Sequence, residues 1–154
     1  MKNPQELFYN LAYNLALIAY ELDEVPVGAV IIKNDTYELV SSGYNQMRSN
    51  KSSLDHAEML ALRSAMSRLN QERLIGCSMI TTLEPCPMCA QAISYARLSS
   101  VSFSAEDVKS GGILHGPRIF DSSSCHHKPD VIRYDDDGKS RELLQKFFKS
   151  KRKK

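Results

Sequence analysis

In the stretch Thr82-Leu83-Glu84-Pro85-Cys86-Pro87-Met88-Cys89-Ala90 the sequence changes from the pattern of a strand to that of a helix. The run Cys77–Leu83 predicts a buried strand, and Pro87 is well suited to the first position of a helix. Cys86 and Cys89 are three residues apart at the start of that helix, so both sulfur atoms can face one point. The positive end of the helix dipole also favours thiolate over thiol. The segment therefore predicts a strand–turn–helix unit with two thiolate ligands at its corner.

A second motif, His56-Ala57-Glu58, supplies the other groups that a catalytic zinc site needs. Catalytic zinc takes three protein ligands and leaves one tetrahedral position open, and one imidazole with two thiolates gives that number. We therefore assign one Zn²⁺ per chain to His56, Cys86 and Cys89. Glu58 is predicted to move protons between a zinc-activated water and a substrate, because a fourth protein ligand would close the site.

Other readings of these cysteines stay open at this point. A structural zinc ribbon needs a second Cys-x-x-Cys pair, which the sequence lacks, and a redox pair leaves the His56 motif unexplained. Both motifs could also be ordinary core residues. Cys125-His126-His127 has the residue types for a second metal, but contiguous ligands rarely all point to one ion. Cys77 is predicted to be a small buried residue of a strand.

Hydrophobic periodicity predicts an α/β fold, a three-layer α/β/α sandwich around a mixed five-stranded sheet, in one domain over residues 1–154. The first helix is expected to be amphipathic, with Leu7, Leu11, Leu15 and Ile18 at helical spacing and Phe8 and Ala12 beside them. The segment 109–130 is rich in Gly, Ser and Pro and has no assignment. In chain order the patterns predict a helix over 4–23, strands over 27–32 and 37–44, a helix over 56–69, a strand over 77–83, a helix over 87–97, strands over 101–104 and 131–134, and a helix over 141–149.

Charge is unevenly distributed along the 154 residues, although the net charge is only +2. A basic C-terminal helix and tail at about 141–154 carries seven basic groups and one acidic group. This cluster indicates a polyanionic partner such as nucleic acid, or else a solvated tail. No apolar run approaches the ~20 residues of a membrane span, and the N-terminus lacks the pattern of a secretory signal. We therefore expect a cytoplasmic protein with no membrane partner and without disulfides.

The zinc motifs match the H-x-E…P-C-x-x-C signature of zinc deaminases, of which the bacterial tRNA-specific adenosine deaminases are one example. The sequence resembles that tRNA family over nearly its whole length. The zinc motifs are shared with cytosine and guanine deaminases, so they indicate only the chemistry, and the other blocks narrow the substrate. The blocks that carry the resemblance are 24–30, Gly43-Tyr44-Asn45, 56–58, 82–90, Ala105-Glu106-Asp107-Val108-Lys109-Ser110-Gly111 and 143–151.

The resemblance implies a cytidine deaminase-like fold and the hydrolytic deamination of adenosine to inosine at the wobble position of a tRNA anticodon. It also implies a homodimer that binds the anticodon stem-loop. Two alternatives remain: a small-molecule guanine or cytosine deaminase, which the basic tail disfavours, and a non-catalytic zinc-stabilised RNA-binding subunit. The presence of Glu58 disfavours the second, because such a subunit often loses its proton shuttle.

The resemblance also implies roles for individual residues. Asn45 would hydrogen-bond the flipped adenine, and Ala57 would offer a backbone N–H near the base. Asp107 would hold a ribose 2′-hydroxyl, a contact that distinguishes RNA from DNA. Lys109 and Ser110 would lie near neighbouring phosphates.

At the C-terminal end, Phe147 and the basic residues after it would meet the anticodon loop. Adjacent helical positions point about 100° apart, so we expect one of Phe147 and Phe148 to pack inward and the other to be partly exposed. The sequence departs from the family pattern after the substrate loop, where Ile113-Leu114-His115 replaces a run of small residues.

Overall fold

The computed structural model describes residues 3–152, so the last two lysines of the basic tail lie outside the described residues. Within these residues, four helices and five strands form in the predicted order, and the segment 109–129 is loop and turns around one 3₁₀ turn at Ile119–Asp121. No helix within the described range is long and apolar enough to cross a membrane. The elements are α1 (Pro4–Glu21), β1 (Gly28–Lys33), β2 (Leu39–Tyr44), α2 (Ala57–Leu69), β3 (Cys77–Leu83), α3 (Pro87–Tyr95), β4 (Ser100–Ala105), β5 (Asp130–Arg133) and α4 (Lys139–Arg152).

The strands form one mixed sheet in the order β2-β1-β3-β4-β5, which confirms the predicted fold class. β1 pairs antiparallel with β2 and with β3, whereas β3, β4 and β5 run parallel. In the parallel pair, Leu83 lies opposite Ala105. The loops that follow these two residues therefore leave the sheet side by side. They carry the cysteine motif and the predicted substrate loop.

The central strands bury both faces, and this produces the three layers. On β1, Ala29 and Ile31 belong to the core beneath α2 and α3, whereas Val30 and Ile32 belong to a second core beneath α1. Successive side chains of a strand point to opposite faces, so an apolar run with no polar alternation serves both cores at once.

The predicted inward face of α1 is wrong in part. Leu7 is 54% exposed and Ile18 is 44% exposed, whereas Phe8 and Ala12, which belong to the same predicted face, are buried. The reason is a close approach between α1 and β1 at Gly28. A Cβ atom built on Gly28 would lie 2.0 Å from the carbonyl oxygen of Ala12. Beside Gly28 only small residues let the helix backbone come so near the sheet, whereas Phe8 and Tyr9 are buried one turn earlier and Leu7 and Ile18 face outward.

α4 packs beside α1 through aromatic and cationic groups. The rings of Phe147 and Tyr20 meet edge to face with centroids 6.1 Å apart, and the ammonium of Lys146 lies over the Tyr20 ring. Phe147 is 6% exposed and Phe148 is 43% exposed, so the expected division between the two rings is confirmed. Because α4 is held against α1, its other side is free to border the site described next.

Candidate active site and zinc centre

Three ligand atoms meet at the corner between α2 and α3. The Nδ1 atom of His56 lies 3.6 Å from the Sγ of Cys86 and 3.6 Å from the Sγ of Cys89. A tetrahedral zinc with bonds of about 2.05 Å to nitrogen and about 2.3 Å to sulfur separates these atoms by about 3.6 Å. Within residues 3–152 these three side chains are the one grouping close enough to share a metal ion. The donor set and its spacing therefore fit one Zn²⁺.

Two of the three ligands lie directly before a helix. His56 is the residue before α2 and Cys86 the residue before α3, and both have extended backbone. The positive ends of two helix dipoles thus converge on the ligands and favour negative charge there. A hydrogen bond from the Cys89 thiol and another from His56 lower the pKa of Cys86 to about 4, although burial opposes the shift. The same thiol pairing and burial raise the pKa of Cys89.

Glu58 lies in the first turn of α2 beside the ligands but outside the ligand set. Its side chain is 4% exposed, and the Thr81 hydroxyl donates a hydrogen bond of 3.4 Å to its Oε1 atom. Burial raises the pKa of the Glu58 carboxyl above its ordinary value. A carboxyl with a raised pKa can hold a proton and release it again, which is what a proton shuttle requires. This environment suits the predicted role.

A cavity of about 520 Å³ opens above the ligands. It is bordered by the end of β3, the loop after β4, the loop after β2 and one side of α4. Cys89 is buried beneath it and does not line it. The cavity brings together seven of the predicted site residues, namely Asn45, His56, Glu58, Cys86, Asp107, Lys109 and Ser110.

The backbone N–H that the resemblance offers to the base is already engaged. Ala57 donates that N–H to the Oδ1 atom of Asn45 over 2.7 Å, and the Ala57 side chain is fully buried. Since Oδ1 is the acceptor, the Nδ2 group of Asn45 remains as the donor of that amide, and Asn45 lines the cavity. Ala57 thus orients Asn45, and Asn45 carries the free donor.

The aromatic residue at the cavity is Phe148, and Phe147 is not among the cavity residues. Sequence reasoning chose Phe147 and missed the face of α4 that borders the site. The other residues of this face lie three, four, seven and eleven positions after Arg141. This is a helical repeat, so the periodicity of α4 could have identified the face. The residues on this face are Arg141, Leu144, Gln145, Phe148 and Arg152.

Two buried glutamates, also missed, hold the loops around the cavity. Glu24 accepts hydrogen bonds from the backbone N–H groups of Arg48 and Ser49 at 3.1 and 2.7 Å and from the Ser49 hydroxyl at 2.7 Å. Glu84 has the corresponding place beneath the loop after β4. Burial alone would raise the pKa of each carboxyl, but these hydrogen bonds outweigh it and lower both pKa values.

The remaining cysteines lie outside the site. The Cys125 thiol donates to the carbonyl of His127 over 3.1 Å, and the Nε2 of His127 lies 2.6 Å from the carbonyl of Leu98. These side chains are therefore used to hold the local backbone and do not converge on a common point. Cys77 is buried in β3, as predicted.

Comparison with known proteins identifies relatives of this chain. The family model for the cytidine and deoxycytidylate deaminase zinc-binding region matches residues 2–105. A tRNA-specific adenosine deaminase from Agrobacterium fabrum is 41% identical over 94% of this chain and 94% of its own length. Another, from Aquifex aeolicus, is 40% identical over 96% of each chain.

A solved structure of an editing deaminase is also similar to this chain. It comes from a study of A-to-I editing by tRNA:A34 deaminases at the wobble position of transfer RNA. It is 39% identical to this chain, covers 90% of it and 99% of its own length, and superposes with a TM-score of 0.86. Together with the ligand geometry, these likenesses show that the chain belongs to the tRNA-specific adenosine deaminase family, within the zinc-binding cytidine and deoxycytidylate deaminases.

Proposed function

We propose that this chain hydrolyses the exocyclic amine of adenosine at the wobble position of a tRNA anticodon and produces inosine. One observation carries the proposal: the cavity that contains Glu58 and the zinc ligands also includes Lys109, Arg141, Phe148 and Arg152. A polynucleotide offers phosphates to such cations and flanking bases to such a ring. A free nucleobase offers neither, which favours RNA over guanine or cytosine as the substrate.

The chemistry follows from the buried carboxyl beside the ligands. A zinc ion held by His56, Cys86 and Cys89 would act as a Lewis acid and make water a nucleophile near neutral pH. As the water oxygen adds to C6 of adenine, Glu58 accepts one proton and delivers it to the ring nitrogen N1. Glu58 then takes the proton of the new C6 hydroxyl and passes it to the exocyclic amine. The bond from C6 to the exocyclic nitrogen breaks as the C6=O bond forms, and ammonia leaves.

Recognition of the base and its sugar is assigned to polar groups at the cavity wall. Asn45, oriented by Ala57, donates through Nδ2 to an acceptor nitrogen of the purine. The Oδ1 atom of Asp107 accepts the backbone N–H of Ser110 over 2.8 Å, and the other carboxylate oxygen is assigned to the ribose 2′-hydroxyl. Lys109 and Ser110 are exposed on the same loop and are assigned to the neighbouring phosphates.

The direct test is incubation with an RNA anticodon stem-loop that carries adenosine at the wobble position, followed by detection of inosine. We expect inosine in the RNA and much less conversion of the matching DNA hairpin, because DNA lacks the 2′-hydroxyl. Ammonia release from guanine or cytosine without any inosine would identify a small-molecule deaminase instead. Binding of the stem-loop without a product from any substrate would identify a non-catalytic RNA-binding subunit.

The two adjacent phenylalanines of α4 provide a matched pair of variants. Phe148→Ala is expected to weaken stem-loop binding roughly 5- to 150-fold, the value of one base stacked on an aromatic ring, with little loss of stability. Phe147→Ala is expected to lower the free energy of unfolding by about 3–5 kcal/mol, because it empties a buried site. Filter binding and thermal denaturation of both variants separate these effects. If Phe147→Ala were the variant that lost affinity while keeping its stability, the assignment of the rings would be reversed.

We further propose that residues 1–154 form a single domain that works in the cytoplasm, and that the chain forms a homodimer, as the family resemblance implies. The basic helix and tail from about residue 141 would contribute to the anticodon stem-loop site. Sedimentation analysis at micromolar concentration tests the dimer, and a species of single-chain mass alone would contradict it.

A further inference from the structure

Glu84 is a buried carboxylate that the proposed mechanism does not use. It follows β3 and precedes the Pro85-Cys86 corner, and it is 1% exposed. An ionised carboxylate so deeply buried is costly unless hydrogen-bond donors surround it. Its donors therefore indicate what the residue does.

All of these donors come from the loop that follows β4. The backbone N–H of Asp107 donates to Oε1 over 3.1 Å, and those of Ile113, Leu114 and His115 donate to Oε2 over 3.2, 2.9 and 3.1 Å. The Nδ1 atom of the His115 ring adds a fifth contact, 2.8 Å from Oε1. A carboxylate has about four lone-pair sites, so this one is fully occupied by a single loop.

The loop is also shaped to fold over the carboxylate. A Cβ atom built on Gly111 would lie 2.3 Å from the Oε2 atom of Glu84, so only glycine fits there. Gly111 donates its N–H to the carbonyl of Asp107 over 2.9 Å, and Gly112 donates to the carbonyl of Pro85 over 2.8 Å. Residues 107–113 therefore form a closed turn whose two ends rest on Glu84.

His115 extends these contacts away from the cavity. Its Nε2 atom lies 3.7 Å from the carboxylate of Glu106, and Glu106 forms an ion pair of 2.5 Å with Arg133 of β5. The ring thus connects the buried carboxylate to the edge strand of the sheet. A change at His115 removes this connection but leaves Glu84 with its four backbone donors.

We propose that Glu84 and His115 are positioning residues that hold the loop 106–115 in the shape that presents Asp107, Lys109 and Ser110 to the RNA backbone. The proposal rests on the proposed function, because the loop is assigned to RNA. It gives Glu84 a role in substrate binding, although the residue is two positions from a zinc ligand. The alternative is that Glu84 and His115 serve only the metal corner.

The test uses His115→Leu, because removal of the Glu84 carboxylate could prevent folding. The variant is expected to raise the KM for the stem-loop at least about tenfold, since a hydrogen bond to a charged group is lost. We expect kcat to stay within about threefold and zinc to stay near one per chain. His115→Asn should recover most of the affinity, because its amide nitrogen can take the place of Nδ1. His126→Leu, the same change at an exposed histidine of the same loop region, is the control and should behave as the wild type.

Hydrogen exchange gives a readout that does not depend on substrate. In His115→Leu the amides of Asp107, Ile113 and Leu114 should exchange faster, while those of β3 stay protected. A loss of zinc with an unchanged KM, or unchanged exchange in the loop, would overturn the proposal. Absence of inosine from the wild type would reject the proposed function, and the exchange measurement would still decide whether His115 holds the loop.

Discussion

Glu58→Ala is expected to abolish measurable deamination while the protein keeps its zinc. General acid–base catalysis contributes typically 10²–10⁴-fold, and Glu58 acts in two proton transfers, so we expect kcat to fall by about 10⁴-fold or more. Glu58 is not one of the three zinc ligands, so its removal should not release the metal. The binding energy for RNA comes mainly from contacts with the RNA phosphates. Stem-loop affinity should therefore stay within a few-fold. Single-turnover kinetics, elemental analysis and a binding titration on one preparation provide the three values.

Glu58→Gln is the matched variant for this prediction. It retains the shape of the side chain and an acceptor for the Thr81 hydroxyl, but it cannot accept a proton. It should be as inactive as Glu58→Ala and at least as stable. An inactive Glu58→Ala protein that had also lost its zinc would make Glu58 a metal ligand, and the proton-shuttle mechanism would have to be withdrawn.

Cys86→Ala is expected to lose metal and stability together. Two remaining ligands cannot hold zinc tightly, so the content should fall from about one ion per chain to near zero. Zinc present at a thousand times its dissociation constant stabilises the folded state by about 4 kcal/mol, so its loss should lower the Tm by roughly 10 °C. Treatment of the wild type with a strong chelator should produce a similar decrease, which zinc reverses.

Cys125→Ala is the control for the metal prediction. Cys125 is buried, hydrogen-bonded to backbone and outside the ligand group, so this variant should retain one zinc per chain. A wild type with two zinc ions per chain, one of them lost in Cys125→Ala, would show that Cys125-His126-His127 binds metal.

The zinc site could be predicted from the sequence because its groups lie in short local motifs. The number of ligands that catalytic zinc needs, together with the start of a helix at Pro87, identified His56, Cys86 and Cys89 without any tertiary information. The sheet could also be predicted, since runs such as Cys77–Leu83 have strand length and composition. The structure places the three ligand atoms within reach of one ion, as expected.

What could not be predicted depends on how elements face each other. Hydrophobicity marks both Phe147 and Phe148 as core candidates, but only the packing of α4 on Tyr20 determines which ring turns toward the cavity. The resemblance assigns the Ala57 N–H to the base, and no local pattern shows that this group donates to the side chain of Asn45, twelve residues earlier. Glu84 stood inside a recognised motif, yet its donors come from a loop more than twenty residues later.

Because α1 packs so closely on Gly28, the usual relation between the size of a side chain and its tolerance of substitution is reversed in this helix. Along most amphipathic helices, large apolar residues are the positions at which substitution is least tolerated. Here Leu7 is half exposed and can change at little cost, whereas Ala12 is fully buried and its carbonyl oxygen would lie 2.0 Å from a Cβ atom on Gly28. Overpacking of this kind typically costs about 1–3 kcal/mol. Sequence drift in this helix should therefore be concentrated at its exposed leucines, Leu7 and Leu17, and its buried alanines should change least.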